Sequence, residues 1–204
     1  MSPPREPVRI EAGAYFIRTL VDEDASERWA GWPADPEVAQ LLNAPAWRMT
    51  KSEIVDYIRG FDQRSRLLLG IFERESGIHI GFYTISINQA AGRGLVNLLI
   101  GERAYRNRGV LTATRIPFAR FFFETLKLRT MLAAALAHNR VILNRLLRDG
   151  WVHERTLTQH VKSQAGDGML DLCLLRYSVE TWTAQEAERA RLKGGNALPG
   201  DGTN

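Results

Sequence analysis

Asn97-Leu-Leu-Ile-Gly-Glu-Arg-Ala-Tyr-Arg-Asn-Arg-Gly-Val-Leu-Thr112 is the stretch from which the rest of the chain can be read. It begins inside an apolar strand, Leu95–Ile100. From Leu111 to Leu128 apolar residues return at helical spacing, with Ile116, Ala119, Phe123 and Leu126 on one stripe. A strand therefore becomes a helix within one short turn. Such a turn aims several free backbone N–H groups and the positive end of the helix dipole at one point, which is the make-up of an anion site. Gly109 lets the backbone approach an anion with no side chain between them, and Arg103, Arg106 and Arg108 add positive field. The competing reading is a surface loop with solvated arginines.

Upstream, Tyr15–Leu20 reads as a strand. Asp24 can cap a helix running to about Trp32, and Asp35 followed by Pro36 starts another through Leu42. Thr50 with Glu53 is a capping box opening a helix to about Phe61. Arg66–Phe72 and Ile78–Asn88 are strands joined by a polar turn. Downstream, Thr130–Ala137 is a strand, Asn139–Arg148 a helix, and Trp151–Lys162 and Met169–Val179 are strands; Tyr177–Arg191 reads as a closing surface helix. Strands interrupted by two helices near their middle predict an α/β (α+β) architecture, a mixed sheet with helices on both faces.

The composition narrows the function classes. Of 204 residues, 45% are hydrophobic and 25% charged, ordinary globular values. One cysteine, Cys173, excludes an intramolecular disulfide and a multi-cysteine metal site. No run approaches a membrane span and the start lacks a signal-peptide core, so a cytoplasmic protein with no membrane partner is expected. Residues 1–12, with three prolines, read as a flexible N-terminal arm, residues 13–192 as one domain, and the Gly-rich residues 193–204 as a disordered tail. The net charge of +4 is mild. Five arginines fall within Arg103–Arg120, but the aromatics there follow a core stripe, and nucleic acid is not expected as a partner.

With these elements placed, Arg106-x-x-Gly109 after a strand ending Ile-Gly-Glu resembles the acetyl-CoA motif of the GNAT superfamily of N-acetyltransferases. It departs from that motif at Leu111, where the family usually has Gly or Ala. Asn139 through Trp151 (NRVILNRLLRDGW) is similar to the family's second signature, an Asn followed by Gly and an aromatic. Phe16–Leu20, Asp22–Asp24, Asp35-Pro-Glu-Val, Gly77-x-x-Ile-Gly81 and Asp171 resemble the RimJ/RimL-like branch.

The resemblance implies a mostly antiparallel sheet that splays into a V between its fourth and fifth strands, Leu95–Ile100 and Thr130–Ala137. Acetyl-CoA is the implied co-substrate, with no metal. Its pantetheine would bond the backbone of Leu98, Leu99 and Ile100 and the amide of Asn139. Its pyrophosphate would sit on the turn Arg106, Asn107, Arg108, Gly109, Val110, Leu111 and Thr112. An amine acceptor, a small molecule or a protein N-terminus, would attack the thioester directly; a homodimer is left open.

An amine with a pKa near ~10 must lose a proton to react. Glu102 and Asp171 are the candidate catalytic groups, with a partner for Arg103 or Arg106 and a structural hydrogen bond as their respective alternatives. His153 and His160, seven apart on one strand, would face opposite ways. Relatives donate a proton to the thiolate from a Tyr or Ser at positions that are Leu146 and Ile142 here. That absence keeps a second reading open, a non-catalytic acyl-CoA-binding or sensing protein. Trp29, Trp32 and Trp47 are candidates for an acceptor-site wall, with core packing the alternative for at least two; Glu53 and Asp56 are candidate acidic contacts.

Overall fold

In the computed structural model, which describes residues 6–164 and 166–194, the apolar runs lie side by side. The strands are β1 (Arg9–Ala12), β2 (Tyr15–Thr19), β3 (Arg66–Glu73), β4 (His79–Asn88), β5 (Arg93–Ile100), β6 (Thr130–Leu136), β7 (Val152–Lys162) and β8 (Met169–Ser178). The helices are α1 (Glu27–Gly31), α2 (Pro36–Leu42), α3 (Lys51–Arg59), α4 (Val110–Arg120), α5 (Arg140–Arg148) and α6 (Val179–Gly194). One eight-stranded sheet runs in the order β1-β2-β3-β4-β5-β6-β8-β7. Every neighbouring pair is antiparallel except β5–β6.

Helices cover both faces, as expected. On one face α4, the Phe121–Thr125 turn that follows it and α6 pack Phe118, Phe122 and Trp182 against Ile17, Leu69, Ile85 and Met131. On the other, α1 and α3 set Trp29, Ile54 and Ile58 against Leu68 and Phe72. β3 is buried on both faces, which is why its sequence is a continuous apolar run rather than an alternation. Asp35 caps α2 by accepting from Glu37 N at 2.9 Å, and the Thr50–Glu53 box closes as predicted.

Four expectations are corrected. Arg9–Ala12, read as part of a flexible arm, pair with Arg18–Tyr15 as β1. Their alternation of polar and apolar residues suits an edge strand, a signal that the prolines before them hid. Residues 1–5 of the expected arm and 195–204 of the expected tail lie outside the described residues. Ser26, not Asp24, caps α1, accepting from Trp29 N; Asp24 instead binds Arg18 at 2.5 Å. The stripe from Leu111 to Leu128 is not one uniform helix. Pro117 lies inside α4, and Phe121–Thr125 continue as a wider turn in which Leu126 N donates to Phe121 O. Lastly, β7 is bulged between His153 and Arg155 and between Leu157 and Val161, so the alternation rule cannot set His153 and His160 on opposite faces. Both histidines are exposed.

His79 is 8% exposed, ringed by Trp29, Trp32 and Phe72 at 5.0, 4.9 and 4.9 Å between ring centroids. Its Nε2–H donates to Gly81 O at 2.9 Å, which leaves the neutral ring's Nδ1 as an acceptor. Burial pushes its pKa down to about 4. A histidine that resists protonation in the fold stabilises the fold above its unfolded pKa. That contribution is lost as pH falls from about 6.5 towards 4, up to about 3 kcal/mol. The wild type should therefore lose more melting temperature between pH 7 and pH 4.5 than His79→Phe does. Equal losses in parallel thermal melts would contradict this.

Candidate active site

The geometry of the site starts at the one parallel pair. β5 and β6 are joined only at Arg93↔Thr130, Gly94↔Met131 and Leu95↔Leu132, after which they part. β5 stays paired with β4 as far as Ile100, and β6 with β8 as far as Leu136. The result is a V-shaped gap whose apex is Leu95 and Leu132. The Leu99 carbonyl points onto β4, so close to Gly81 that a Cβ there would stand 2.2 Å from it. Successive carbonyls of a strand alternate in direction, so Leu98 and Ile100 turn theirs to the open edge. The Ile100 carbonyl accepts from Arg106 Nε at 3.1 Å, and Leu98 is left facing the gap.

The turn at the mouth of the gap leads into α4, whose first turn no side chain caps and no acidic residue occupies. Ser26, Asp35, Thr50 and Asn139 cap α1, α2, α3 and α5. The first backbone bond of α4 is Ala113 N to Gly109 O, so the N–H groups of Val110, Leu111 and Thr112 are the free donors of its start. Gly109 stands at φ 75°, a left-handed conformation that glycine adopts without strain, and a Cβ there would meet nothing within 4 Å. The helix start is fixed from behind. Tyr83, which burial holds well above the usual phenol range, pairs through its OH with Thr114 Oγ1 at 2.8 Å, and Thr114 donates to Val110 O at 2.8 Å.

Arg106 is committed to partners within the protein. Its side chain is 9% exposed and donates to Ile100 O, to Gly101 O at 2.6 Å, and to Asp35 and Glu37 at 3.0 and 2.8 Å. Arg115 pairs with Asp149 and Arg120 with Glu186, so the arginines of this segment are mostly spent on carboxylates. Asn107 and Arg108 are exposed beside Gly109. Asn139 uses Oδ1 to accept from Ile142 N at 3.3 Å and so caps α5, while its Nδ2 enters no bond among the described residues.

Glu102 pairs with Arg28 at 3.0 Å, not with Arg103 or Arg106. Asp171 accepts from Gln159 N at 2.8 Å inside the β7 bulge, where Gln159 has φ 47°, and no hydrogen bond or ion pair joins it to the turn. Its role here is to hold a bulge. Trp29 and Trp32 are core residues at 2% and 4% exposure, and Trp32 packs on Gly101, where a Cβ would stand 2.0 Å from its ring. Trp47 is exposed, Glu53 is used in its capping box, and Asp56 is exposed.

Sequence reasoning missed the bar across the gap. Arg106 ties the start of α2 to the end of β5. At the other end of α2, Asn43 donates to Lys162 O at 2.8 Å and accepts from Gln164 N at 3.0 Å in the β7–β8 hairpin. The seven residues of α2, about 10 Å long, thus bridge the mouth of the V on the face opposite α4. An Asn just past the expected helix end at Leu42 was the readable sign, and Asn43 takes the left-handed φ of 47° that such a position favours. Arg145 joins the remaining two elements, donating to Thr112 Oγ1 at 3.1 Å and to Asp149 at 2.8 Å.

A family model described as the acetyltransferase (GNAT) domain matches residues 15–148, more than half of the chain. The chain belongs to this acetyltransferase family. No curated protein matches it. Among solved structures, a GCN5-related N-acetyltransferase from Brucella melitensis shares 16% identity over 92% of this chain and 86% of its own, with a TM-score of 0.74. Spermidine N-acetyltransferase from Vibrio cholerae, in complex with CoA and spermine, shares 11% over 83% and 98%, at 0.73. Ribosomal-protein-S5-alanine acetyltransferase from Vibrio fischeri shares 15% over 86% and 98%, at 0.69. At such identities the likeness is one of fold. Among the described residues no helix of this GNAT chain is long and apolar enough to cross a membrane.

Arg106→Gln should cost about 2–3 kcal/mol, because two carbonyls and two carboxylates lose a nearly buried donor. Arg108→Gln, at an exposed position, should stay within about 0.5 kcal/mol of wild type. Denaturant unfolding of both variants checks the contrast, and an Arg106→Gln protein as stable as Arg108→Gln would contradict it.

Proposed function

We propose that this protein transfers an acetyl group from acetyl-CoA to a primary amine. The observation that carries the reading is the uncapped start of α4 at the mouth of the gap. Its free N–H groups at Val110, Leu111 and Thr112, with Gly109 leaving the approach open, suit a pyrophosphate. The chain's own backbone at Leu98 suits the amides of pantetheine, Ile100 being partly committed to Arg106, and Leu99 contributes packing rather than a free carbonyl. Asn139 caps α5 with its oxygen and keeps its nitrogen as a donor to the same chain. Asn107 and Arg108 would lie beside the phosphates. The branch is RimJ/RimL-like by the motifs quoted above, and the single domain runs over residues 13–192, extended at its start by β1.

In the reaction the neutral amine attacks the thioester carbon; a C–N bond forms, the C–S bond breaks, and the nitrogen releases one proton while the thiolate gains one. Positioning and a polarising backbone N–H supply most of the rate. Glu102 lies where β5 ends and serves as a water-mediated base, with Arg28 orienting its carboxylate. Asp171 is assigned to structure. Ile142 and Leu146 donate no proton, so the thiolate leaves without a side-chain acid from α5.

Gly109→Val should raise the Kd for acetyl-CoA tenfold or more in calorimetry, since its branched side chain would fill the pyrophosphate approach, while Arg108→Ala costs about 1 kcal/mol. Wild-type affinity in Gly109→Val would defeat the site. With an amine acceptor, kcat should climb with pH towards the amine's own pKa, and Glu102→Gln should lose about 10²-fold at pH 7 and recover partly at high pH. A descending limb at pH 8–10 would report an essential acid instead.

A further inference from the structure

On the face of the sheet that carries α1–α3, early residues of β5, β6 and β7 and late residues of the antiparallel β8 frame a cavity of about 350 Å³. Leu95, Leu132 and Leu174 form its floor. Leu95 and Leu132 are also the last pair before β5 and β6 separate, so this cavity lies at the apex of the V, on the side away from α4. If pantetheine runs down the gap from the Gly109 turn, its acyl end is directed at this apex. The inference rests on that reading of the site.

The cavity's rim is cationic. Arg93, Arg155 and Arg176 converge on it from three strands, against the single carboxylate of Glu154. Arg176 pairs with Glu154 at 3.3 Å, while Arg93 and Arg155 have no ion pair or side-chain hydrogen bond among the described residues. Two guanidinium groups are thus uncompensated above an apolar floor. Guanidinium forks match carboxylate and phosphate oxygens, and a walled cleft of one sign concentrates the opposite charge.

We propose that the acceptor is an anionic amine, an amine that also bears a carboxylate or phosphate, whose anionic group is held by Arg93 and Arg155 while its nitrogen reaches the apex. The same field disfavours the protonated form of the incoming amine, which aids attack. It also repels polyamines, whose second charge would meet arginines rather than carboxylates.

The test measures kcat/KM for leucine, leucine methyl ester, O-phosphoethanolamine and spermidine with acetyl-CoA. Leucine or O-phosphoethanolamine should exceed the ester and spermidine at least tenfold, and which of the two leads distinguishes carboxylate from phosphate. Arg93→Gln and Arg155→Gln should raise KM for the anionic amines about tenfold and leave the ester unchanged. An ester as good as its acid, a preference for spermidine, or variants that affect acid and ester alike would overturn the proposal. N-acetyl-leucine and inorganic phosphate are titrated separately without CoA, into wild type and Arg155→Gln. Binding of neither to wild type also overturns it. Binding that Arg155→Gln weakens, with no transfer to any amine, would instead remove the acetyl-transfer reading and keep the anion site.

Discussion

Three register pairs between β5 and β6 hold the two parts of this sheet together, and the site exists because there are only three. β1 to β5 form one antiparallel run and β6, β8 and β7 another, each hydrogen-bonded within itself. A parallel pair also demands a crossover. Here the crossover is α4 with its wider last turn, so a helix start has to stand at the end of β5, where the strands have parted. The opening and the free N–H donors at the start of α4 are two consequences of one connection.

That arrangement leaves a helix start without a protein partner, and the surrounding residues are spent on keeping it in place. Arg106 is the clearest case. Its charge is balanced by Asp35 and Glu37 and its donors by two carbonyls, so its part is to shape the turn. Through the same side chain the turn is tied to α2, which Asn43 fastens to the β7–β8 hairpin. The turn before α4 and the β7–β8 hairpin on the far side of the gap are therefore joined through α2.

Most of the fold was legible because its signals are local. The continuous apolar run of β3, the Thr50–Glu53 box, Asp35-Pro36 and the change of period after Gly109 each specify their element from within it. What could not be read depends on contacts distant in sequence. Arg106 and Arg108 are alike in sequence, yet one is clasped by α2 and the other is solvent-facing, a difference set by residues some seventy positions upstream. The bulges of β7 break the alternation on which the histidines' opposite faces were expected, and Asp171 is explained by Gln159 across one of those bulges. Arg93, Arg155 and Arg176 are unremarkable singly in sequence and become a feature only when three strands align.

Backbone amide hydrogen exchange, with and without CoA, reports on the N–H groups proposed to hold it. Slowed exchange on CoA addition is expected at Val110, Leu111 and Thr112 and at the gap-facing amide of Leu98, with Leu99, already turned onto β4, unchanged. Protection confined to other surfaces, or none at the start of α4 when CoA is bound, would contradict this.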